Sequence, residues 1–341
     1  MSDTADRRTY RKWIDCAKFV SIFLVVLFHC PPSLSGTVAG VSLSHLRLPS
    51  FFFLAGLLFS FSGHPSFIAF ARRRSIQLLI PYVCFFAISY LFWLLAGKDL
   101  SSPDERAAPF YQPVVEYLYG RPLLIDWPLW FIAALFSMQC LFYLFRKISR
   151  PASVVILFAL AFAPRLTDLS GAPWMLDNVC DFFFYYGLAS LYKKAFFRFM
   201  EMKSRFIAGF LLLIIHFICN VQLLGQPDEY LAVPLHLLCG ISIIIPLFIL
   251  IKAITDRRGL HPAIKYMAMN TIIILACHTY GIRLLTLLVT RFMHVGDDFF
   301  DGLYGLKPVI AVAVMILMIA PVYVINRYFP FIVGRGKYFN S

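Results

Sequence analysis

The chain has 341 residues, of which 60% are hydrophobic, 17% are aromatic and only 14% are charged. Ordinary soluble domains carry about 25% charged residues, so this composition excludes a single soluble globular fold. The formal net charge is +13 at pH 7. Because the basic residues are split between alternate loops, we expect no nucleic-acid-binding surface and predict a protein embedded in a lipid bilayer.

Ten apolar runs are candidates for membrane-spanning helices, because about 20 apolar residues cross the hydrocarbon core of a bilayer. Inside lipid, only helices and closed barrels satisfy every backbone hydrogen bond, and these runs lack the alternation of barrel strands. The sequence therefore predicts an all-α, polytopic membrane protein that forms one domain over residues 1–341. In chain order, the predicted spans are Ile14–Cys30, Leu46–Phe61, Ile76–Ala96, Pro128–Phe145, Pro151–Ala163, Val179–Tyr192, Phe206–Leu224, Leu231–Ile251, Met267–Val289 and Pro308–Ile325.

Lysine and arginine are distributed unevenly between the two sides that these spans define. Of 31 such residues, 22 fall in segments assigned to the cytoplasm, 7 fall on the opposite side and two lie within helices. Cytoplasmic loops of membrane proteins carry this excess of positive charge. We therefore expect both termini in the cytoplasm and the protein in a bacterial inner membrane. The eight cysteines form no CxxC pair, so we expect neither disulfides nor a bound metal ion.

The first span carries three ionisable residues on one face. Asp15, Lys18 and His29 share a stripe, because each helical residue turns the chain by about 100°. His29 lies about 22 Å beyond Ile14 along the helix axis, in the outer half of the membrane. Ionisable groups within a bilayer usually face a bundle interior or a wet cavity. The stripe therefore predicts a functional site, with a simple interhelical ion pair of Asp15 and Lys18 as the alternative.

The remaining polar candidates separate by predicted depth. Arg47 and Asp181 lie near the outer side, where either side chain would orient His29 or stabilise developing charge. An acceptor hydroxyl there needs a base, and a neutral imidazole suits that role near pH 7. A basic triplet near the cytoplasmic face would hold the phosphates of a donor, or would serve only as a topology determinant. The triplet consists of Arg72, Arg73 and Arg74.

Four other histidines complete this set. His278 lies near mid-depth in the ninth predicted span. His216 and His236 are single histidines in apolar helices and are interpreted as packed side chains, while His45 is interpreted as a loop or interface residue.

Five segments along the chain, in the same order, resemble motifs of the integral-membrane acyltransferase family called acyltransferase 3, which includes O-antigen acetylases. The segments are Trp13–His29, Leu48–Gly56, Leu78–Tyr82, Leu129–Phe131 and Asn270–His278. The resemblance implies a helical membrane enzyme that uses an acyl-CoA, usually acetyl-CoA, and modifies hydroxyls of surface glycans or of their lipid-linked precursors. It implies no tightly bound cofactor.

The resemblance also assigns roles to particular residues. His29 corresponds to the essential histidine of the first helix, and the arginines before Leu78 correspond to an R-x-x-R motif near the donor. Here Gln77 stands where the second arginine is usual, and Arg47 stands where a histidine is common. Lys18 joins the basic triplet as a donor-binding candidate. The residues expected to line a central cavity are Asp15, Trp130, Asn270 and His278.

These expectations combine into one hypothesis and two alternatives. The hypothesis is an O-acyltransferase in which His29 is the general base, or less readily the acyl carrier. The first alternative is a transporter or flippase of a lipid-linked sugar, with the same stripe lining its path. The second is a structural or sensory subunit, which the ionisable residues within the spans argue against.

Overall fold

The computed structural model describes residues 2–34, 36–60, 66–97, 107–225 and 227–335. Within these ranges the chain forms helices and no strands, which confirms the all-α prediction. The helices are α1 (Ser2–His29), α2 (Val38–Leu58), α3 (Phe67–Arg74), α4 (Ile80–Phe92), α5 (Gln112–Leu118), α6 (Trp130–Leu144), α7 (Arg150–Leu160), α8 (Leu176–Leu191), α9 (Lys193–Glu201), α10 (Arg205–Leu224), α11 (Glu229–Arg258), α12 (Pro262–Ala268), α13 (Thr271–Met293), α14 (Lys307–Leu317) and α15 (Ile319–Tyr328). Shorter helical pieces are the π-helical Ser75–Leu79 and Trp93–Gly97, the α-helical turn Ala163–Leu166, and the 3₁₀ turns Trp127–Leu129, Phe145–Lys147, Pro173–Met175, Asp297–Phe300, Tyr304–Leu306 and Pro330–Val333.

Seven helical stretches in the described part of the chain are long and apolar enough to cross a membrane. The protein is therefore an integral membrane protein, although the predicted count of ten spans is not confirmed. The stretches are Val38–Leu58, Phe67–Leu95, Trp127–Lys147, Arg205–Leu224, Glu229–Arg258, Thr271–Met293 and Tyr304–Tyr328.

The three other predicted spans fall in α1, α7 and α8. Helix α1 is long enough at 28 residues, but charged side chains interrupt its apolar run. Helices α7 and α8 have 11 and 16 residues. At about 1.5 Å per residue, both are shorter than the roughly 30 Å hydrocarbon core.

The chain divides into two compact units, each drawn from two separate stretches. The first unit comprises Met1–Phe59 and Phe184–Ala320, and the second comprises Ser60–Phe183 and Pro321–Ser341. In the first unit, α1 is surrounded by other helices: α2, α11, α12, α13 and α14 all pack against it. This position explains why α1 can carry polar side chains along an otherwise apolar helix.

Two contacts illustrate how tightly α2 packs in the first unit. The hydroxyls of Ser21 on α1 and Ser50 on α2 lie 2.9 Å apart, and neither side chain is exposed. Six residues further along α2, a Cβ atom at Gly56 would lie 2.1 Å from the carbonyl oxygen of Tyr186. Only glycine permits this approach, which fixes α2 against α8.

The second unit places a buried carboxyl just before the apolar helix α6. Asp126 precedes the turn that leads into α6 and has a left-handed backbone, with a φ of 53°. Its Oδ2 atom accepts a hydrogen bond of 2.8 Å from the Ser89 hydroxyl on α4. Burial raises the pKa of this carboxyl to about 8, because removal from water disfavours the charged form.

Candidate active site: a histidine pair at the end of α1

His29 is the last residue of α1 and meets a second histidine from α13. The Nδ1 atom of His29 lies 2.9 Å from the Nε2 atom of His278. The two rings stack with their centroids 5.1 Å apart and their planes inclined by 29°. His278 is completely buried, whereas His29 is only half-buried. The sequence predicted a role for each residue, and the structure joins them into one pair.

The hydrogen bonds of His278 determine which nitrogen carries the proton. Its Nδ1 atom lies 2.7 Å from the carbonyl oxygen of Leu275 and 3.2 Å from that of Ile274. A carbonyl oxygen only accepts, so this Nδ1 carries the hydrogen and the Nε2 of the neutral ring carries a lone pair. The Nδ1 of His29 must therefore donate to His278. The lone pair of the neutral His29 ring then lies on Nε2, the nitrogen that a general base would use.

A positive charge lies beside this pair. The guanidinium carbon of Arg47 on α2 is 3.6 Å from the centre of the Phe28 ring, a close cation–π contact. Phe28 immediately precedes His29, and the charge of Arg47 acts on the His29 ring. Arg47 therefore reaches the predicted site. A second cation, Lys307 on α14, also acts on the ring, and sequence reasoning counted it only as a topology charge.

Asp181 lies in the second unit, where its carboxylate accepts a hydrogen bond of 2.5 Å from Arg165. Its predicted role in orienting His29 stays a prediction. In the structure, the His29 ring is hydrogen-bonded to His278.

The basic triplet stands at the end of α3, also in the second unit. The side chains of Arg72 and Arg73 are exposed. Arg74 is half-buried and donates a hydrogen bond of 2.8 Å to Gln77, the residue that replaces the second arginine of the family motif. Beyond Arg74 the helix continues as the π-helical turn Ser75–Leu79. Arg72 and Arg73 thus carry two exposed cations, whereas part of the Arg74 guanidinium is hydrogen-bonded to Gln77.

The other predicted cavity residues have local partners. Lys18 donates to Asp15 at 3.3 Å, and both side chains are partly buried. Asn270, which immediately precedes α13, donates a hydrogen bond of 2.7 Å to the carbonyl oxygen of Tyr266. Trp130, in the second unit, stacks on Phe182 with a centroid distance of 6.5 Å. Their predicted lining of a cavity stays a prediction.

A second histidine pair lies on the opposite side of α2 from Arg47. The Nε2 atom of His45 lies 2.6 Å from the Nδ1 atom of His236 on α11, and the rings stack with centroids 4.9 Å apart. The Nδ1 atom of His45 donates to the Val41 carbonyl at 2.7 Å. By the same reasoning as above, His236 donates to His45. The hydrogen bonds are arranged as in the first pair, but the contact of Arg47 with Phe28 lies beside the first pair.

Sequence reasoning interpreted these histidines singly and missed the pairing. His216 is likewise a hydrogen-bonded residue: its Nδ1 atom donates to the Cys239 carbonyl at 3.0 Å, and its Nε2 atom accepts from Ser42 at 2.9 Å. The packed interpretation of His216 and His236 therefore agrees with their surroundings. Across the residues that the structure describes, no group of three or more histidine, cysteine, aspartate or glutamate side chains is placed to hold a metal ion.

Apolar membrane-spanning helices and a hydrogen-bonded histidine pair with a defined proton position describe a helical membrane protein with a candidate acid–base site. The chain belongs to the acyltransferase 3 family, because the family's sequence profile, described as an acyltransferase domain, matches residues 11–327. This match confirms the resemblance seen in the motifs, and the protein is therefore a membrane acyltransferase. No curated protein and no solved structure matched the chain.

Proposed function

We propose that this protein is an O-acyltransferase of the bacterial inner membrane. It moves an acyl group from cytoplasmic acyl-CoA, with acetyl-CoA as the donor, to a hydroxyl of a surface glycan or lipid-linked sugar at the outer face. Both termini lie in the cytoplasm, as the charge distribution indicates. The single observation that carries the proposal is the hydrogen bond from His29 to His278, which leaves a basic nitrogen on the half-buried ring of a membrane acyltransferase.

In the proposed reaction, Nε2 of His29 accepts the proton of the acceptor hydroxyl as its oxygen attacks the thioester carbonyl carbon. The new C–O bond forms, and the tetrahedral intermediate then expels the CoA sulfur as the C–S bond breaks. The proton on His29 passes to that sulfur, so that the products are the ester and free CoA. General-base help of this kind contributes about 10²- to 10⁴-fold in rate.

Arg47 supplies the electrostatic part of the mechanism. Negative charge develops on the thioester oxygen during attack, and a fixed cation in a water-poor site stabilises it strongly. The contact with Phe28 holds the guanidinium next to the base. Arg47 has no acidic partner among the ion pairs of the described residues, so its charge is available to the reaction.

The donor is proposed to bind at the cytoplasmic side through its phosphates. Arg72 and Arg73 are exposed, and guanidinium groups bind phosphate through paired, charge-assisted hydrogen bonds. Arg74 and Lys18 are proposed as further cations for the same ligand. Asp15, Trp130, Asn270 and His278 are proposed as residues of the substrate cavity, and Asp181 is proposed to orient His29 or to stabilise developing charge.

The proposal is tested by incubating membrane vesicles with radiolabelled acetyl-CoA and following label into glycan. Wild-type protein is expected to transfer label, and His29→Ala is expected to lose about 10²- to 10⁴-fold in rate. His236→Ala is the matched control, because His236 is also a half-buried Nδ1 donor in a stacked histidine pair. The control is expected to keep its rate.

Two results would overturn the proposal. One is a correctly inserted His29→Ala protein that acetylates at the wild-type rate. The other is flux of a labelled lipid-linked sugar across the membrane without any acetylation, which would identify a transporter.

A further inference from the structure

Lys307 begins α14, and its side chain is directed into the end of α1. Only 2% of its surface is exposed. Its Nζ atom donates to the carbonyl oxygens of Phe28, at 3.1 Å, and Pro32, at 2.8 Å, and also to that of Cys30. The backbone that follows α1 therefore wraps around one ammonium group.

The chemistry of both partners explains the arrangement. The last four carbonyls of a helix have no partner within that helix, and a cation at this end interacts favourably with the helix dipole. An ammonium group has three hydrogens and no acceptor. Here three carbonyl oxygens use the three hydrogens, so Lys307 has no donor left for a substrate. Its contribution to the reaction must come through the residues that it holds.

Those residues include the base itself. His29 lies between Phe28 and Cys30, and Lys307 holds the carbonyls on both sides of it. Phe28 in turn carries the guanidinium of Arg47 on its ring. The Lys307 ammonium thus fixes the backbone on both sides of His29. It also fixes the backbone of Phe28, whose ring contacts Arg47.

We propose that Lys307 is a positioning residue for acyl transfer, which keeps the His29 ring against His278 and the Phe28 ring beneath Arg47. The inference rests on the proposed function of His29. A displacement of about 1 Å at a reacting group costs up to about 100-fold in rate. Loss of the ammonium is therefore expected to lower kcat while leaving KM for acetyl-CoA unchanged.

The first test compares Lys307→Met with Lys252→Met. Lys252 on α11 is the matched control, because it is also almost fully buried, at 3% exposure, but its partners are Asp256 and Glu201. Lys307→Met is expected to lose about 10- to 100-fold in kcat, whereas Lys252→Met keeps its kcat. An equal loss of kcat in both variants, or a change confined to KM, would overturn the proposal.

A second variant, and a measurement that does not depend on acyl transfer, distinguish a displaced His29 ring from a misfolded protein. Lys307→Arg keeps the charge, but its planar fork does not direct three hydrogens from one atom, so it is expected to be folded and still slow. Diethyl pyrocarbonate acylates neutral imidazole nitrogens, and mass spectrometry of the His29 peptide gives the rate. We expect this rate at His29 to change in Lys307→Arg and to stay constant in Lys252→Met.

An unchanged rate of His29 modification in a folded Lys307→Arg protein would overturn the positioning role. The two proposals fail separately. If wild-type protein transferred no acetyl group, the modification experiment would still report whether Lys307 fixes the His29 ring.

Discussion

His29 and His278 lie 249 positions apart in the chain, yet their ring nitrogens are 2.9 Å apart. The pair has a direction: His29 donates to His278, and His278 donates to the Leu275 carbonyl. This order puts the basic nitrogen of the pair on the half-buried ring rather than on the completely buried one. Helix α13 thus supplies the hydrogen-bond acceptor, and α1 supplies the proposed base.

Replacement of His278 tests this direction. Glutamine at position 278 offers an amide oxygen to His29 and an amide hydrogen to the helix carbonyls, whereas methionine fills the space without either. We expect His278→Met to lose up to about 100-fold in kcat and His278→Gln to retain more activity than His278→Met. Acetyl transfer in vesicles at matched protein levels measures both. Equal activity of the two variants would show that the hydrogen bond has no catalytic value.

Arg47 is expected to act through both its charge and its flat shape. Removal of one group that stabilises an oxyanion costs about 10²- to 10³-fold in rate, so Arg47→Met is expected to fall in that range. Arg47→Lys is expected to recover only part of the loss, because lysine does not stack on Phe28 as a planar guanidinium does. Arg146→Met is the control, since Arg146 also lies over an aromatic ring, that of Tyr143. Full recovery by lysine would rule out a role for stacking.

Asp126 predicts a pH-dependent stability. Its folded-state pKa is raised from 3.8 to about 8, so between these values the folded protein holds a proton that the unfolded chain has lost. The free energy of unfolding therefore falls as the pH rises through this window. The melting temperature of wild-type protein in detergent is expected to drop from about pH 5 to about pH 9, and that of Asp126→Asn to drop less.

The control for this series is Asp168→Asn. Asp168 is fully exposed, and the pKa of its carboxyl is lowered because it accepts hydrogen bonds from Ser170. Replacement of Asp168 is expected to leave the decline of the melting temperature with pH as steep as in the wild-type protein. Parallel curves for wild type and Asp126→Asn would contradict the assignment of a protonated carboxyl at position 126.

Gly56 provides a test of packing in the first unit. Alanine there would place a methyl carbon 2.1 Å from the Tyr186 carbonyl oxygen, and the backbone must shift to relieve the clash. Overpacking of this kind costs about 1–3 kcal/mol, so Gly56→Ala is expected to melt at a lower temperature. Gly305→Ala, where nothing lies within 4 Å of the added atom, serves as the control. Identical melting temperatures would refute the tight contact between α2 and α8.

The fold class could be predicted from the sequence, and both members of the histidine pair could be named as candidates, but their pairing could not be predicted. Periodicity put Asp15, Lys18 and His29 on one stripe, and α1 does lie at the centre of a helical unit. Periodicity does not indicate which distant helix faces that stripe, so the contact between His29 and His278 could not be predicted from it. Long-range contacts of this kind depend on tertiary packing.

Charge counting has a different limit. It places Lys307 on the outer side of the membrane but gives no direction for the side chain. The direction depends on the three carbonyls at the end of α1. Composition likewise identified α7 and α8 as apolar but did not give the residues at which they begin and end. Helix α7 ends at Leu160, three residues before the predicted end of its span, whereas α8 begins at Leu176, three residues before its predicted start.

Helix α1 has five helical neighbours, and this leaves it no freedom to spin about its own axis. The rotational position of His29 about the helix axis is consequently set by the number of residues that separate it from Trp13, which is buried against Phe197 and Phe248 near the middle of the helix. Adding a single apolar residue between them would preserve hydropathy and yet swing the imidazole by about 100°, away from α13. The length of this one helix therefore matters to the proposed acid–base site as much as the identity of the residue at its tip.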